Sequence, residues 1–302
     1  IQTIGKYSFS YSSIENISFP SSVKIICEGA FSHCNNIKSV KFPKDSELEI
    51  IEKDAFIESS IVNVTLPPHL TKICEGAFSH CLKLKVVEIP ANSELTTIEK
   101  NAFILSKIEK ILIPRHVTQI SEGTFSNCLY LSLVEFQENS ELEVIEKEAF
   151  LKSSIGSISF PSSLKRIDNS AFYCCKALDY INFPPDSKLE IIGEYAFSES
   201  MINELEIPKE VTKICEGAFS QCSGILSFSI ASDSKLRIME RLAFSYSSIS
   251  SIIIPPHLTK IHKWTFALCM HLNRIEIPIN SELQTIGKYA FFASSINNFY
   301  FP

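Results

Sequence analysis

The nine residues ICEGAFSHC occupy positions 26–34 and return unchanged at 73–81, and a near copy, ICEGAFSQC, spans 214–222. Two cysteines that enclose a glutamate admit two interpretations. They could form a metal or nucleophile site, or they could belong to a structural unit that contains thiols. Because the first two copies start 47 residues apart, the stretch indicates an internal repeat, which must be examined before any chemistry is assigned.

A small residue followed by phenylalanine marks every repeat along the 302 residues, and the spacing alternates between 22 and 25 without exception. The thirteen phenylalanines are Phe9, Phe31, Phe56, Phe78, Phe103, Phe125, Phe150, Phe172, Phe197, Phe219, Phe244, Phe266 and Phe291. A regular array of this kind is typical of a solenoid, in which each unit completes its core only by stacking on its neighbours.

Each unit continues with the pattern (L/I)xx(I/V)x(I/F)P, as in Leu84–Pro90 and Ile108–Pro114. Alternating aliphatic residues predict a short half-buried strand. The proline that follows lacks the N–H needed for pairing, so it marks the strand end. Eleven of thirteen units have this proline, the last being Pro302, and Gln137 and Ala231 hold the other two positions.

The array predicts thirteen coils of alternating 22 and 25 residues, with short parallel strands on a concave face. The segment EGAFS is too short for a long helix, so we expect a short helical or 3-10 turn there, with loops, on the convex face. Residues 1–302 are interpreted as one array, a fragment of a longer one without capping units. Apolar ends of such a fragment predict possible end-to-end self-association.

The combined motif LxxIxIP…LxxIxxxAFxxC resembles the BspA-like (Treponema pallidum-type) leucine-rich repeat family, and the resemblance covers all thirteen units. It implies a leucine-rich repeat solenoid and a cell-surface or extracellular protein implicated in adhesion. It does not imply a particular ligand, because the repeat consensus reflects packing.

The cysteines form columns rather than a cluster. Those three residues after the phenylalanine recur every 47 residues, and therefore lie two coils, or about 10 Å, apart. A disulfide requires Cα atoms closer than about 7 Å, and zinc requires ligands that converge on one point. We therefore expect buried thiols that fill a corner of the coil, with no disulfide ladder and no metal site.

Composition and motifs exclude other classes of function. The formal net charge is −6 and the 28 basic residues are scattered, which argues against a nucleic-acid partner. Apolar runs are too short for membrane insertion within these residues. The sequence contains neither a catalytic constellation nor a phosphate-binding glycine motif. We therefore predict no enzymatic activity, no catalytic residues and no cofactor.

Binding residues are expected where the repeat imposes no constraint, on strand side chains that alternate with the core. The least polar part of the predicted concave face combines apolar residues with flanking charges, a composition that marks protein contacts. The candidate protein-binding residues are Val86, Glu88, Lys110, Leu112, Leu133, Glu135 and Tyr180. Two glycosylation sequons, at Asn16 and Asn63, lie in the same columns.

These observations lead to two alternative functions. The first is a non-enzymatic module of a cell-surface adhesion or recognition protein, whose ligand is a host, extracellular-matrix or cell-surface protein. The second is an intracellular, cytoplasmic scaffold for protein–protein interaction, which unpaired thiols would suit.

Overall fold

The computed structural model describes residues 1–300, so the predicted strand-end proline Pro302 lies outside the described residues. The chain is a parallel-strand β-solenoid of about 13 turns, each turn contributing two short strands. It divides into unit 1, Ile1–Ile155, and unit 2, which begins at Gly156. The predicted solenoid and its parallel strands are therefore confirmed.

Unit 1 contains two sets of strands that alternate along the chain. The bounds are β1 (Thr3–Ile4), β2 (Asn16–Ser18), β3 (Ile25–Ile26), β4 (Ser39–Lys41), β5 (Ile50–Ile51), β6 (Asn63–Thr65), β7 (Lys72–Ile73), β8 (Val86–Glu88), β9 (Thr97–Ile98), β10 (Lys110–Ile113), β11 (Gln119–Ile120), β12 (Leu133–Phe136) and β13 (Val144–Ile145). Strands β2, β4, β6, β8, β10 and β12 are hydrogen-bonded in that order, as are β1, β3, β5, β7 and β9, and β11 pairs with β13.

Unit 2 repeats this arrangement. Its bounds are β14 (Ser157–Ser159), β15 (Arg166–Ile167), β16 (Tyr180–Asn182), β17 (Ile191–Ile192), β18 (Glu204–Ile207), β19 (Lys213–Ile214), β20 (Ser227–Ile230), β21 (Ile238–Met239), β22 (Ser251–Ile253), β23 (Lys260–Ile261), β24 (Arg274–Glu276), β25 (Thr285–Ile286) and β26 (Asn298–Tyr300). The longer strands pair in the orders β14-β16-β18-β20 and β22-β24-β26, and the two-residue strands run from β15 to β25.

The core is a column of stacked phenylalanine rings. In unit 1, the ring of Phe103 lies 5.4 Å from that of Phe78 and 5.5 Å from that of Phe125, nearly parallel to both. All three side chains are fully buried. Burial of one such ring contributes roughly 1.5–3 kcal/mol, which no single coil could obtain without neighbours.

The segment around each phenylalanine is a series of turns, and residues 1–300 contain no helix, so the predicted helical or 3-10 turn is wrong. Gly29 and His33, two residues before and after Phe31, have left-handed φ values of 60° and 56°. Such values interrupt a right-handed helix. The Phe31 N–H donates to Ala55 O in the next coil at 2.8 Å, whereas Ser32 N–H closes a local turn on Gly29 O at 3.0 Å.

Strand length follows the proline position. Gln137, which replaces proline after β12, keeps its N–H and donates it to Ile113 O at 3.0 Å. As a result, β10 and β12 pair over four residues, from Lys110↔Leu133 to Ile113↔Phe136. At the second position without proline, Ala231, strands β18 and β20 likewise pair over four residues, whereas the remaining longer strands have three. A single residue type therefore determines how far the ladder extends.

Candidate protein-binding surface

The longer strands present an open face, defined here as the side of their sheet opposite the phenylalanine core. In β6, Val64 is buried with 2% of its surface exposed, whereas Asn63 and Thr65 on either side of it are exposed. This alternation is the period of two expected of a strand with one buried face. The open-face residues are the positions that the sequence pattern left free to vary.

Three of the predicted binding residues form one row across unit 1. Lys110 pairs in register with Val86 on one side and with Leu133 on the other. Leu133 is exposed, with 38% of its surface accessible, and Val86 is half-buried. A cation therefore lies between two apolar side chains on adjacent strands, about 4.8 Å apart in the pairing direction.

The other three predicted residues of unit 1 form a second row. Leu112 pairs with Glu135 on the next strand, and Glu88 lies on the strand before. The Glu88 carboxylate accepts a hydrogen bond of 2.7 Å from the Thr65 hydroxyl. Leu112 is half-buried, whereas both glutamates are exposed. We call these two rows the unit 1 patch: Val86, Glu88, Lys110, Leu112, Leu133 and Glu135.

The seventh predicted residue, Tyr180, belongs to unit 2. Its side chain is 47% exposed, and in register it pairs with Glu204 of the next strand. Beside it lies a cleft of about 330 Å³, lined by Tyr180, Ile181, Asn182, Phe183, Pro184, Pro185, Ser187, Glu204, Glu206, Pro208, Lys209, Ala231 and Asp233. Nothing in the repeat pattern indicated this cleft.

Cysteines in the column after the phenylalanine are buried hydrogen-bond donors. The Cys81 Sγ–H donates to Phe56 O at 3.1 Å, and Cys128 Sγ–H donates to Phe103 O at 3.2 Å. Ser59 Oγ lies 3.4 Å from Cys81 Sγ. Serine occupies this position in the intervening coils, so serine and cysteine alternate along the column. These thiols fill the corner of the coil, as the sequence predicted, and in addition they donate to main-chain carbonyls.

Electrostatics make these thiols poor nucleophiles. Burial raises the pKa of Cys81 and of Cys222 to about 12. In the column before the phenylalanine, burial and then the Glu99 carboxylate raise the pKa of Cys74 to about 11. A reactive cysteine requires a lowered pKa, which an adjacent cation or a helix N-terminus would supply. The environment of these residues has the opposite effect.

Histidines of the turns pair with glutamates in the following coil. His69 Nδ1 lies 3.1 Å from Glu94 Oε1, and His257 Nδ1 lies 2.9 Å from Glu282 Oε1. These side chains are exposed or half-buried. Across residues 1–300, His, Cys, Asp and Glu side chains form no group of three that could hold a metal ion. The same residues include no helix long and apolar enough to cross a membrane.

Trp264 replaces the usual glycine of the EGAF segment, and its ring packs locally. The ring centroid lies 4.7 Å from that of Tyr289 and 5.3 Å from that of Phe292. The backbone of Trp264 keeps the left-handed φ of that position, at 64°. The substitution therefore preserves the turn and adds an aromatic contact with the next coil.

Both sequon asparagines lie on the open face of unit 1. Asn16 is exposed on β2 and its Oδ1 accepts a hydrogen bond of 2.8 Å from Ser39 Oγ. Asn63 is exposed on β6, directly paired with Val86 of the unit 1 patch. A glycan at Asn63 would therefore stand beside the patch, and glycosylation stays a prediction.

Comparison with known proteins identifies what this chain is similar to. The model of the BspA type leucine rich repeat region matches residues 2–132, 96–226 and 190–302, in six copies. A search of curated proteins found no match.

Two solved structures with a similar fold come from bacteria. A leucine-rich repeat protein from Bacteroides ovatus is 25% identical, with a TM-score of 0.77, over 97% of this chain and 74% of that one. The pneumococcal vaccine antigen PcpA is 21% identical, with a TM-score of 0.59, over 100% of this chain and 85% of that one. The second likeness shows the fold alone.

Proposed function

Because the chain belongs to the BspA-type leucine-rich repeat family, we propose that it is a protein-binding module that recognises its ligand through the open face of its sheet. The family suggests a protein-interaction module, and leucine-rich repeat proteins are typically non-enzymatic. Beyond what the family suggests, we propose which face of the sheet binds the ligand, which residues contact it, and that the chain has no enzymatic activity. Its main support is the unit 1 patch, where apolar and charged side chains of three adjacent strands lie side by side.

The shape and chemistry of this surface fit a protein rather than a small molecule. A standard protein contact buries about 800 Å² per partner, which spans several strands at the 4.8 Å spacing of a sheet. Leu133 and Leu112 provide apolar anchors, and Lys110 and Glu135 form a charged rim. In such contacts the apolar anchors carry more of the affinity than the rim.

We assign the ligand to the class of host, extracellular-matrix or neighbouring-cell proteins, and the module to a cell-surface or extracellular protein that acts in adhesion. The support is the family resemblance, whose members are mostly surface proteins. End-to-end self-association of arrays is a further part of this proposal.

An intracellular scaffold is the second candidate, favoured by one observation. None of the ten cysteines, all of which lie within residues 1–300, forms a disulfide, and thiols persist in reducing compartments. A secretion signal or membrane anchor in the full-length gene would favour the first candidate.

The test compares the double variant Leu112→Asp/Leu133→Asp with His80→Asp, which lies on a turn away from the open face. Cultured epithelial cells and plates coated with basement-membrane extract are the probes. We expect the double variant to lose binding by about tenfold or more, which corresponds to about 1.4 kcal/mol, while His80→Asp binds like wild type. Circular dichroism checks that both remain folded. Equal binding by the two folded variants would remove the unit 1 patch from the proposal.

A further inference from the structure

The sequence repeats every 47 residues, so each of residues 156–249 in unit 2 has an equivalent in unit 1 that lies 94 residues earlier. The cleft beside Tyr180 can therefore be compared with its counterpart in the same molecule. Ala231, at one side of the cleft, corresponds to Gln137 of unit 1. These are the two residues that replace the strand-end proline.

In unit 1 the Gln137 side chain fills this space. Its Oε1 accepts a hydrogen bond of 3.0 Å from the Arg115 N–H, and its Nε2 donates to the Ala91 carbonyl at 2.8 Å. The amide therefore links the turns of the two preceding coils. An amide donor and acceptor at this point satisfy two main-chain groups at once.

In unit 2 the methyl group of Ala231 cannot make these contacts. The equivalent main-chain groups are the Lys209 N–H and the Pro185 carbonyl, and within residues 1–300 neither has a protein hydrogen-bond partner. The space that the glutamine would occupy is part of the 330 Å³ cleft. The Tyr180 ring and half-buried Phe183 give the cleft an aromatic side.

The charge of the cleft differs from that of its counterpart. Glu204, Glu206 and Asp233 line it, where unit 1 has Lys110, Leu112 and Asn139. Within the described residues, the Glu204 and Glu206 carboxylates form no ion pair. They are exposed side chains two residues apart on β18, so they project from the same face about 7 Å apart. Lys209 is the only cation of the lining.

We propose that this cleft binds the side chain of an arginine presented by a protein partner. A guanidinium is planar, so it can stack on the Tyr180 ring, and its donors are arranged to meet carboxylates in pairs. Its remaining N–H groups supply the donor to the Pro185 carbonyl that Gln137 supplies to Ala91 in unit 1. A lysine ammonium provides the charge without the planar stacking surface.

This site does not depend on the unit 1 patch, since all of its residues lie in unit 2. Arginine recognition can therefore be present whether or not Leu112 and Leu133 bind a ligand. The two surfaces are tested by different variants and different probes.

The probe is the capped tripeptide acetyl-Gly-Arg-Gly-amide, titrated into the ¹⁵N-labelled full chain and followed by amide chemical shifts. The reference peptides carry lysine, or citrulline, which keeps the shape of arginine without its charge. We expect shifts centred on Tyr180, Glu204 and Glu206, with the arginine peptide binding about tenfold more tightly than the citrulline peptide. Binding should weaken with added salt, because the carboxylates are exposed.

The decisive variant is Ala231→Gln, which installs the residue that unit 1 already accommodates at the equivalent position. It should close the cleft without loss of stability and reduce arginine binding about tenfold or more. The converse variant, Gln137→Ala, opens the counterpart beside Lys110 and should not gain arginine binding. Shifts that stay unchanged in Ala231→Gln, equal binding of arginine and citrulline, or no saturable shift with wild type would each overturn the proposal.

Discussion

The Sγ–H of Cys81 donates to the carbonyl oxygen of Phe56, 25 residues earlier in the chain, over a distance of 3.1 Å. The bond joins consecutive coils at the point where their phenylalanine rings stack, 5.3 Å apart. The same bond recurs from Cys222 to Phe197 at 3.1 Å. Cysteine in this column is therefore a polar connector within an apolar core.

Replacement of this thiol should distinguish the hydrogen bond from packing. Cys81→Ala removes both the donor and the sulfur, and should lower the free energy of unfolding by about 1–2 kcal/mol. Cys81→Ser keeps a donor and should cost less, since Ser59 holds the equivalent position one coil earlier. Urea unfolding of the two variants measures the difference, and equal losses would show that the hydrogen bond contributes nothing.

The rate at which each cysteine is alkylated should decrease as its burial increases. At pH 8, iodoacetamide should leave Cys81, Cys128 and Cys222 unmodified in the folded protein, because burial raises the pKa of each to about 12. Half-buried Cys27 should react first. Mass spectrometry of digests measures the extent of alkylation at each cysteine, with urea-unfolded protein as the control. Rapid modification of Cys128 in the folded state would contradict the assignment.

The raised pKa values of these buried thiols predict that the folded protein is less stable at alkaline pH. A thiol whose pKa is about 9 when unfolded and about 12 when folded stabilises the fold fully below pH 9. That contribution is lost as the pH rises from 9 through 12, because the unfolded state then releases its proton first. The melting temperature should therefore fall between pH 9 and 11, and by less in Cys81→Ser.

Periodicity in the sequence was sufficient to predict the phenylalanine column and the open-face rows, because both depend on side-chain alternation and coil length alone. The pairing of Lys110 with Leu133 follows from their separation of 23 positions, which is close to the length of one coil. The aliphatic pattern predicted one strand per coil and gave no sign of the two-residue strands such as β3. Two residues are too few for alternation to be visible.

The turn conformation was mispredicted for a physical reason that the sequence did contain. Gly29, Asp54, Gly76 and Asn101 hold the same position in successive coils, and these residue types favour left-handed φ. Their shared column indicated a turn rather than a helix. The Gln137 side chain could not have been placed in this way, because its partner Ala91 lies 46 residues away and belongs to no motif.

At acidic pH, Glu99 should determine part of the pH dependence of the protein's stability. Burial raises its pKa, but the hydrogen bonds from Lys72 and from the Glu75 N–H, together with the lysine charges, outweigh burial and leave the pKa lowered. The Glu99 carboxylate lies 2.7 Å from Lys72 Nζ and 2.9 Å from Glu75 N. Its stabilising contribution is present above the unfolded pKa and is lost as the pH falls through the folded one.

The variant Glu99→Gln keeps an acceptor for the Glu75 N–H but removes the charge. We expect it to melt at a lower temperature than wild type at pH 7 and to converge with wild type near pH 3. Melting curves at intervals of one pH unit provide the comparison. A constant difference between the two proteins at all pH values would show that ionisation of Glu99 is unimportant.

The position two residues before the phenylalanine should require glycine wherever an aromatic ring of the preceding coil covers it. Gly217 has a φ of +60°, and a Cβ atom there would overlap the Tyr195 ring. That ring is held in place, because the Tyr195 hydroxyl donates to Glu216 Oε1 at 3.0 Å. Gly217→Ala therefore combines a left-handed alanine with a displaced ring, and should cost about 2–3 kcal/mol of unfolding free energy.

Gly156→Ala is the matched control in the same unit, since no atom lies within 4 Å of its added Cβ and its φ is not left-handed. It should be neutral or slightly stabilising, because alanine restricts the unfolded chain. The double variant Gly217→Ala/Tyr195→Ala separates the two costs of Gly217→Ala, since without the ring only the backbone strain of about 1–2 kcal/mol remains. Urea unfolding of wild type, Gly217→Ala, Tyr195→Ala and the double variant completes the cycle, in which the double variant is compared with Tyr195→Ala. A Gly217→Ala variant as stable as Gly156→Ala would refute the role of the glycine.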